Sequence, residues 1–160
     1  MGTKSVLGAV CCGLAMLVVA CGGGNHRLSA RAYAREASAL CVRSNRAVAR
    51  ITVPPLPASG DGSRAAARAI ARIVVVQRDA INALRGLRPP EHLTDTVQRW
   101  IALLDQGADE LELMGLRMRS GHGAEALDFG AKSDTLLDRA SEVVAPLHVT
   151  SCRGPVLDTV

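Results

Sequence analysis

Met114, Met118 and His122 recur at intervals of four, which on a helix would stack two thioethers and an imidazole on one face. That donor set suits Cu(I). The same spacing also describes a stripe of core methionines ending in a turn histidine. Gly121 favours the second description because it ends a helix before His122 can join it. Other metal and catalytic patterns are missing. No histidine stands three residues beyond Glu36, Glu91, Glu110, Glu112, Glu125 or Glu142, as paired carboxylate metal sites in helical bundles require. The sequence also contains no His-Glu-x-x-His, no Cys-x-x-Cys-His, no Gly-x-Ser-x-Gly and no phosphate-binding glycine loop. A noncatalytic protein without a cofactor is therefore expected. His26, His92 and His148 fall near predicted helix ends and read as solvated. With only Tyr33, Trp100 and Phe129 as aromatics there is no stacking platform for bases, so nucleic acid is not an expected partner.

The five cysteines divide by position. Lys4 precedes an uncharged run from Val6 to Ala20, about fifteen residues, the length of a secretory core and short of the roughly 20 residues that span a bilayer. It ends in Val18-Val19-Ala20-Cys21 followed by three glycines, which resembles the lipobox of bacterial lipoproteins. The resemblance implies a signal peptide over 1–20, lipidation of Cys21, a tether over 21–28 and a chain held on the extracytoplasmic face of a membrane. Cys11 and Cys12 would leave with the signal peptide. Cys41 and Cys152, 111 positions apart, would remain where disulfides are permitted. One intramolecular bridge is the economical expectation, the alternatives being two free thiols or a bridge to another chain.

Periodicity places four helices over 29–152. From Ser29 to Arg50, Tyr33, Ala37, Leu40, Ser44, Ala47 and Ile51 alternate spacings of four and three, and the prolines and glycines of 52–62 stop the helix. The second runs from Ser63, read as its N-cap, to Leu87. The third starts near Glu91 after Pro89-Pro90 and continues to Ser120. The fourth spans Ala124 to Ala145, with Phe129, Leu136, Ala140, Val143 and Leu147 as its expected inner face. Short connections and the absence of alternating β-branched runs predict an all-α, antiparallel up-and-down four-helix bundle, with 153–160 as a tail. Gly107, Gly115 and Gly130 inside helices would mark close packing.

Charge is sharply partitioned. Arginine supplies 17 of the 19 basic residues; the first two helices are near plus five each, and the third and fourth near minus three each. Pairing across the helix edges is the first expectation. The other is that the basic helices face anionic lipid or cell-wall polymer.

Ala34 to Ala49, reading AREASALCVRSNRAVA, Leu87 to Leu93, reading LRPPEHL, and Pro146-Leu147 with Cys152 resemble a group of small secreted actinobacterial lipoproteins. That resemblance implies the helical fold and the paired cysteines, and supplies no catalytic residue. The expected function is a membrane-anchored, noncatalytic interaction module at the cell envelope, bound to lipid through Cys21 and to an envelope protein, polymer or anionic lipid. A metal- or small-ligand-binding lipoprotein using the bundle interior is the alternative. The short tether would keep the Pro89-Pro90 connection on the membrane side. Cys21→Ala is expected to abolish lipidation and to release or mislocalise the chain, as cell fractionation reads; unlipidated variant retained in the membrane at wild-type level would refute the assignment.

Overall fold

Ser29 starts the first helix. In the computed structural model, which describes residues 27–55, 60–149 and 152, its side-chain oxygen accepts a hydrogen bond from the Ala32 N–H, satisfying one of the free donors of the first turn. The expected signal peptide, Cys21 and the tail beyond 152 lie outside these residues. Helix α1 covers Ala30–Val48, α2 Gly60–Gly86, α3 Thr94–Arg119 and α4 Gly123–Val144. Single 3₁₀ turns, Glu91–Leu93 and Ala145–Leu147, introduce α3 and close α4. Among the described residues there is no strand and no helix long and apolar enough to cross a membrane.

The helices pack in chain order, α1 on α2, α2 on α3 and α3 on α4. One apolar cluster joins the first half of α1 (Tyr33, Ala37, Cys41) to the second half of α2 (Ile81, Leu84), the first half of α3 (Val97, Trp100, Leu104) and the end of α4 (Ala140, Val144). The second joins Val48 to Ala66, Ile70 and Ile73 of α2, Leu111, Met114 and Met118 of α3, and Ala126 of α4. The start of each helix therefore shares a cluster with the end of its neighbour, which is the antiparallel up-and-down bundle.

Among the described residues the α3–α4 seam is the most extensive helix contact. A Cβ on Gly107 would meet Leu137 at 3.4 Å and one on Gly130 would meet Met114 at 3.2 Å, while Gly115 lies equally close to Ile70 of α2. These glycines mark close helix packing. Ser133, buried in the seam, donates to the Gly107 carbonyl oxygen at 2.9 Å. Small residues are needed there, so the inner face of α4 is Ala126, Ser133, Ala140 and Val144. The expected face is corrected: Phe129, Leu136, Val143 and Leu147 are half-buried flanks, since bulk at those positions on the seam would hold the helices apart. On α1 the buried stripe likewise passes through Cys41 and Val48, leaving Leu40, Ser44 and Ala47 partly exposed.

Ser63 is not an N-cap. Helix α2 begins at Gly60, and the buried Ser63 hydroxyl instead donates to the Met118 carbonyl oxygen at 2.5 Å, on the last turn of α3. The hydroxyl thus helps satisfy a carbonyl of a neighbouring helix end. At the other pole, Tyr33 and Trp100 are fully buried, and neither the Tyr33 hydroxyl nor the Trp100 Nε1 has a hydrogen-bond partner among the described residues. Burial pushes the Tyr33 phenol up to about 12.

The chain enters the bundle already strapped to it. The Leu28 N–H donates to the Arg88 carbonyl oxygen at 2.8 Å, and Arg27 donates to the Pro89 carbonyl oxygen and to Thr94 Oγ1, both at 3.2 Å. At the far end the chain reverses after α4 through His148, whose φ of 55° is left-handed, so that Val149 is buried. Cys152 then reaches Cys41 in a disulfide with the Cα atoms 4.8 Å apart. The bridge clamps the tail on α1 and closes a loop of 111 positions, worth up to about 4 to 5 kcal/mol in the chain-entropy account. Cys41→Ser/Cys152→Ser is expected to lower unfolding free energy by several kcal/mol in denaturant titrations; unchanged stability would mean that the clamp constrains nothing.

Candidate interaction surface

The residues first singled out for chemistry are not brought together. Met114 and Met118 are 1% and 0% exposed in the second core cluster, whereas His122 follows the end of α3 on an exposed turn. Helix α3 stops at Arg119, so the interval of four loses its angular meaning before His122. Among the described residues no three His, Cys, Asp or Glu side chains gather as a metal site. His92 and His148 are exposed, and His26 lies outside the described residues. Beneath the disulfide, a cavity of about 50 Å³ is lined by Ser44, Asn45 and Gln77 at its polar side and by Leu84, Leu104 and Leu137. It has room for water, far below the roughly 300–1,000 Å³ of a small-molecule site.

What the fold does assemble is a surface. Two arginines of α2 meet acids of α3. Arg78 forks onto Asp109 at 2.6 Å and Glu112 at 2.8 Å, and Arg85 pairs with Asp105. The hydrogen bond to Asp109, then that to Glu112, holds the Arg78 guanidinium above its already high range. Arg117 of α3 reaches Glu125 of α4 at 3.7 Å. Lys132 lies over the Phe129 ring at 5.0 Å. Complementary charge thus accounts for the α2–α3 edge.

The α1–α2 edge differs. The sequence contains no acid from 37 to 55 or from 62 to 78; Arg43, Arg46 and Arg50 fall in the first stretch and Arg68 and Arg72 in the second, beside Arg64, which pairs with Asp61, and Arg78, which turns to α3. Antiparallel packing brings the end of α1 beside the first half of α2. Arg50 and Arg72 accordingly line the same groove, and neither has an ion-pair partner among the described residues. The apolar lining of that groove is Ala47, Ile51, Ala71, Val75 and Val76.

Val75 is the most exposed large apolar side chain described, at 60%, and with Ala71 it forms a ridge shared by a second groove. That groove runs between α2 and α3 over Gly115 and Leu116, and Leu116 is itself 46% exposed. An apolar ridge between two grooves, rimmed by arginines, is the sort of patch that marks interaction sites. The helical period sets Val74 on the inner stripe of α2 with Ala67, Ile70, Ile81 and Leu84 and leaves Val75 off it, and Val74 is buried accordingly. The runs without acids were available as a signal, because they name the edge on which charge is not balanced.

Arg78→Gln is expected to cost about 0.5 to 1 kcal/mol at low salt, the range of exposed ion pairs, and less at high salt. Arg50→Gln/Arg72→Gln is expected to cost nothing or to stabilise slightly by relieving like charge. Urea midpoints at two ionic strengths check this; equal losses for both variants would show that the α1–α2 arginines are compensated after all. Set against known protein families, curated proteins and solved structures, the chain matches none of them, so the surface is interpreted from its own geometry.

Proposed function

We propose that this chain is a lipoprotein of the cell envelope, anchored through lipid on Cys21, whose helical bundle is a noncatalytic interaction module. The anchor rests on the sequence: Lys4, the uncharged run over 6–20 and the Val-Val-Ala-Cys junction. The observation that carries the interaction role is the exposed Val75 ridge with unpaired arginines beside it. An apolar ridge left open to water is unfavourable by roughly 25 cal/mol per Å² of apolar area relative to a covered one, and uncompensated like charges add to the drive toward a partner.

The ridge lies beside the cluster at the end of α1, next to Ile51 and Val76, whereas the chain enters at the other cluster, strapped to the 88–94 connection. Helix α1 separates the two by 19 residues, about 28 Å. With the tether near the entry pole, the ridge stands away from the bilayer and is reachable by other envelope components. The disulfide and the entry strap at the opposite pole serve this arrangement by holding α1 in place beside α2.

A photo-crosslinking residue at Val75 in the full chain, expressed in its native envelope, is expected to trap a discrete adduct. The same residue at Thr135, exposed on α4, is expected to trap none. Equal labelling at both positions, or none at either, would contradict an interaction module working through this surface.

A further inference from the structure

The groove between α1 and α2 also specifies what kind of partner it takes. We infer that it is a docking site for an acidic amphipathic helix of another protein, an inference that rests on the interaction-module reading above. Four observations carry it.

The first is direction. On α2 the apolar lining is Ala71 with Val75, spaced by four on one face, and across from it lie Ala47 near the end of α1 and Ile51 on the turn that follows, so the strip runs along the α2 axis. A third helix laid on two antiparallel ones presents its own apolar stripe in the same direction, the helix-in-groove mode of recognition. The second is depth. Ala47 and Ala71 are small, which lets an approaching helix sit close, while Val75 and Ile51 supply side-chain contacts on either side. The groove, about 540 Å³, is large enough for several apolar side chains.

The third is charge. Arg50 enters from the turn after α1 and Arg72 from α2, and neither is neutralised among the described residues. Arg46, in the last turn of α1, and Arg68, one turn before Arg72 on α2, add to this charge. The complementary ligand therefore carries carboxylates on both flanks of its apolar stripe. Arginine suits such pairing because its planar guanidinium can take a carboxylate through two hydrogen bonds. The α2–α3 edge is an internal precedent: there α3 lies along α2 and offers Asp105, Asp109 and Glu112 to Arg85 and Arg78. The outer groove offers arginines to an acidic helix that the described residues do not supply along that edge. The fourth is position: the groove lies at the pole away from the entry strap, which favours a protein segment over the bilayer to which the chain is tethered.

The test uses the full lipidated chain in phosphatidylcholine nanodiscs and a fluorescent synthetic helix with leucine at i, i+3, i+4 and i+7 and glutamate on both flanks. Anisotropy is expected to show saturable binding that weakens with salt, is lost when lysine replaces glutamate, and falls at least tenfold with Arg50→Gln/Arg72→Gln and with Val75→Gln. Lys132→Gln/Arg139→Gln, on α4, is expected to bind as wild type, and thermal melts check that every variant is folded.

Absent binding of the glutamate peptide, equal binding of the lysine peptide, or retention of affinity in both groove variants would overturn the inference. Competition by phosphatidylglycerol in the nanodisc would overturn it in favour of lipid. Self-association of the chain abolished by the arginine substitutions would do so in favour of a second copy. A Val75 adduct formed in the envelope together with failure of the glutamate peptide would leave the interaction module standing and remove only this ligand class.

Discussion

Helix α3 can hold two neighbours because its sides carry different chemistry. Toward α4 it presents Gly107, Ala108 and Met114, into which Gly130 and Ser133 fit closely. Toward α2 it presents Gly115 beneath Ile70 and a row of carboxylates that receive Arg78 and Arg85. Close packing on one side and charge on the other fix the rotation of α3, and that rotation decides which faces of α2 and α4 are covered. The Val75 ridge is outside because the opposite side of α2 is used up on this contact.

Helix α1 is held differently. It touches α2 chiefly, and its far half lies against a run of arginines with no acid between. Apolar burial of Tyr33, Ala37 and Cys41 secures the first half, and the backbone strap at Leu28 and the disulfide at Cys41 fall in or beside that half. The second half retains Val48 as its buried contact with the other cluster. Attachment and charge repulsion are thus segregated along one helix, and the groove opens on the half where attachment is weaker.

Features governed by local chemistry were legible in the sequence. Pro54 and Pro55 follow the end of α1 and Pro89 and Pro90 the end of α2, as expected, because a proline acts within one turn. The helical period also marked Ala67, Ile70, Val74, Ile81 and Leu84 on α2 and Val97, Ile101, Leu104, Ala108, Leu111 and Met118 on α3, all of them buried. On α4 the reading followed the largest side chains, but a close seam selects small ones, so Phe129 and Leu136 misled it and Ala126 and Ser133 carried no hydrophobic signal. Ser63 misled for a related reason: residue type does not say whether a hydroxyl caps its own helix or serves another. The charge partition was evident from composition, yet which arginines are paired depends on interhelical rotation, which no single-helix pattern contains. The Met114, Met118 and His122 interval failed because α3 ends before the third member.

The Cys41–Cys152 bridge also gives the molecule a mechanical boundary. Tension entering from the N-terminal end can peel away only Ala30 to Leu40 before it meets the bridge. Beyond that point the load crosses into the tail, bypassing the covalent ring that contains the rest of α1 and all of α2, α3 and α4. The Val75 ridge lies inside that ring, so a pull between the two ends of the chain leaves the surface unextended.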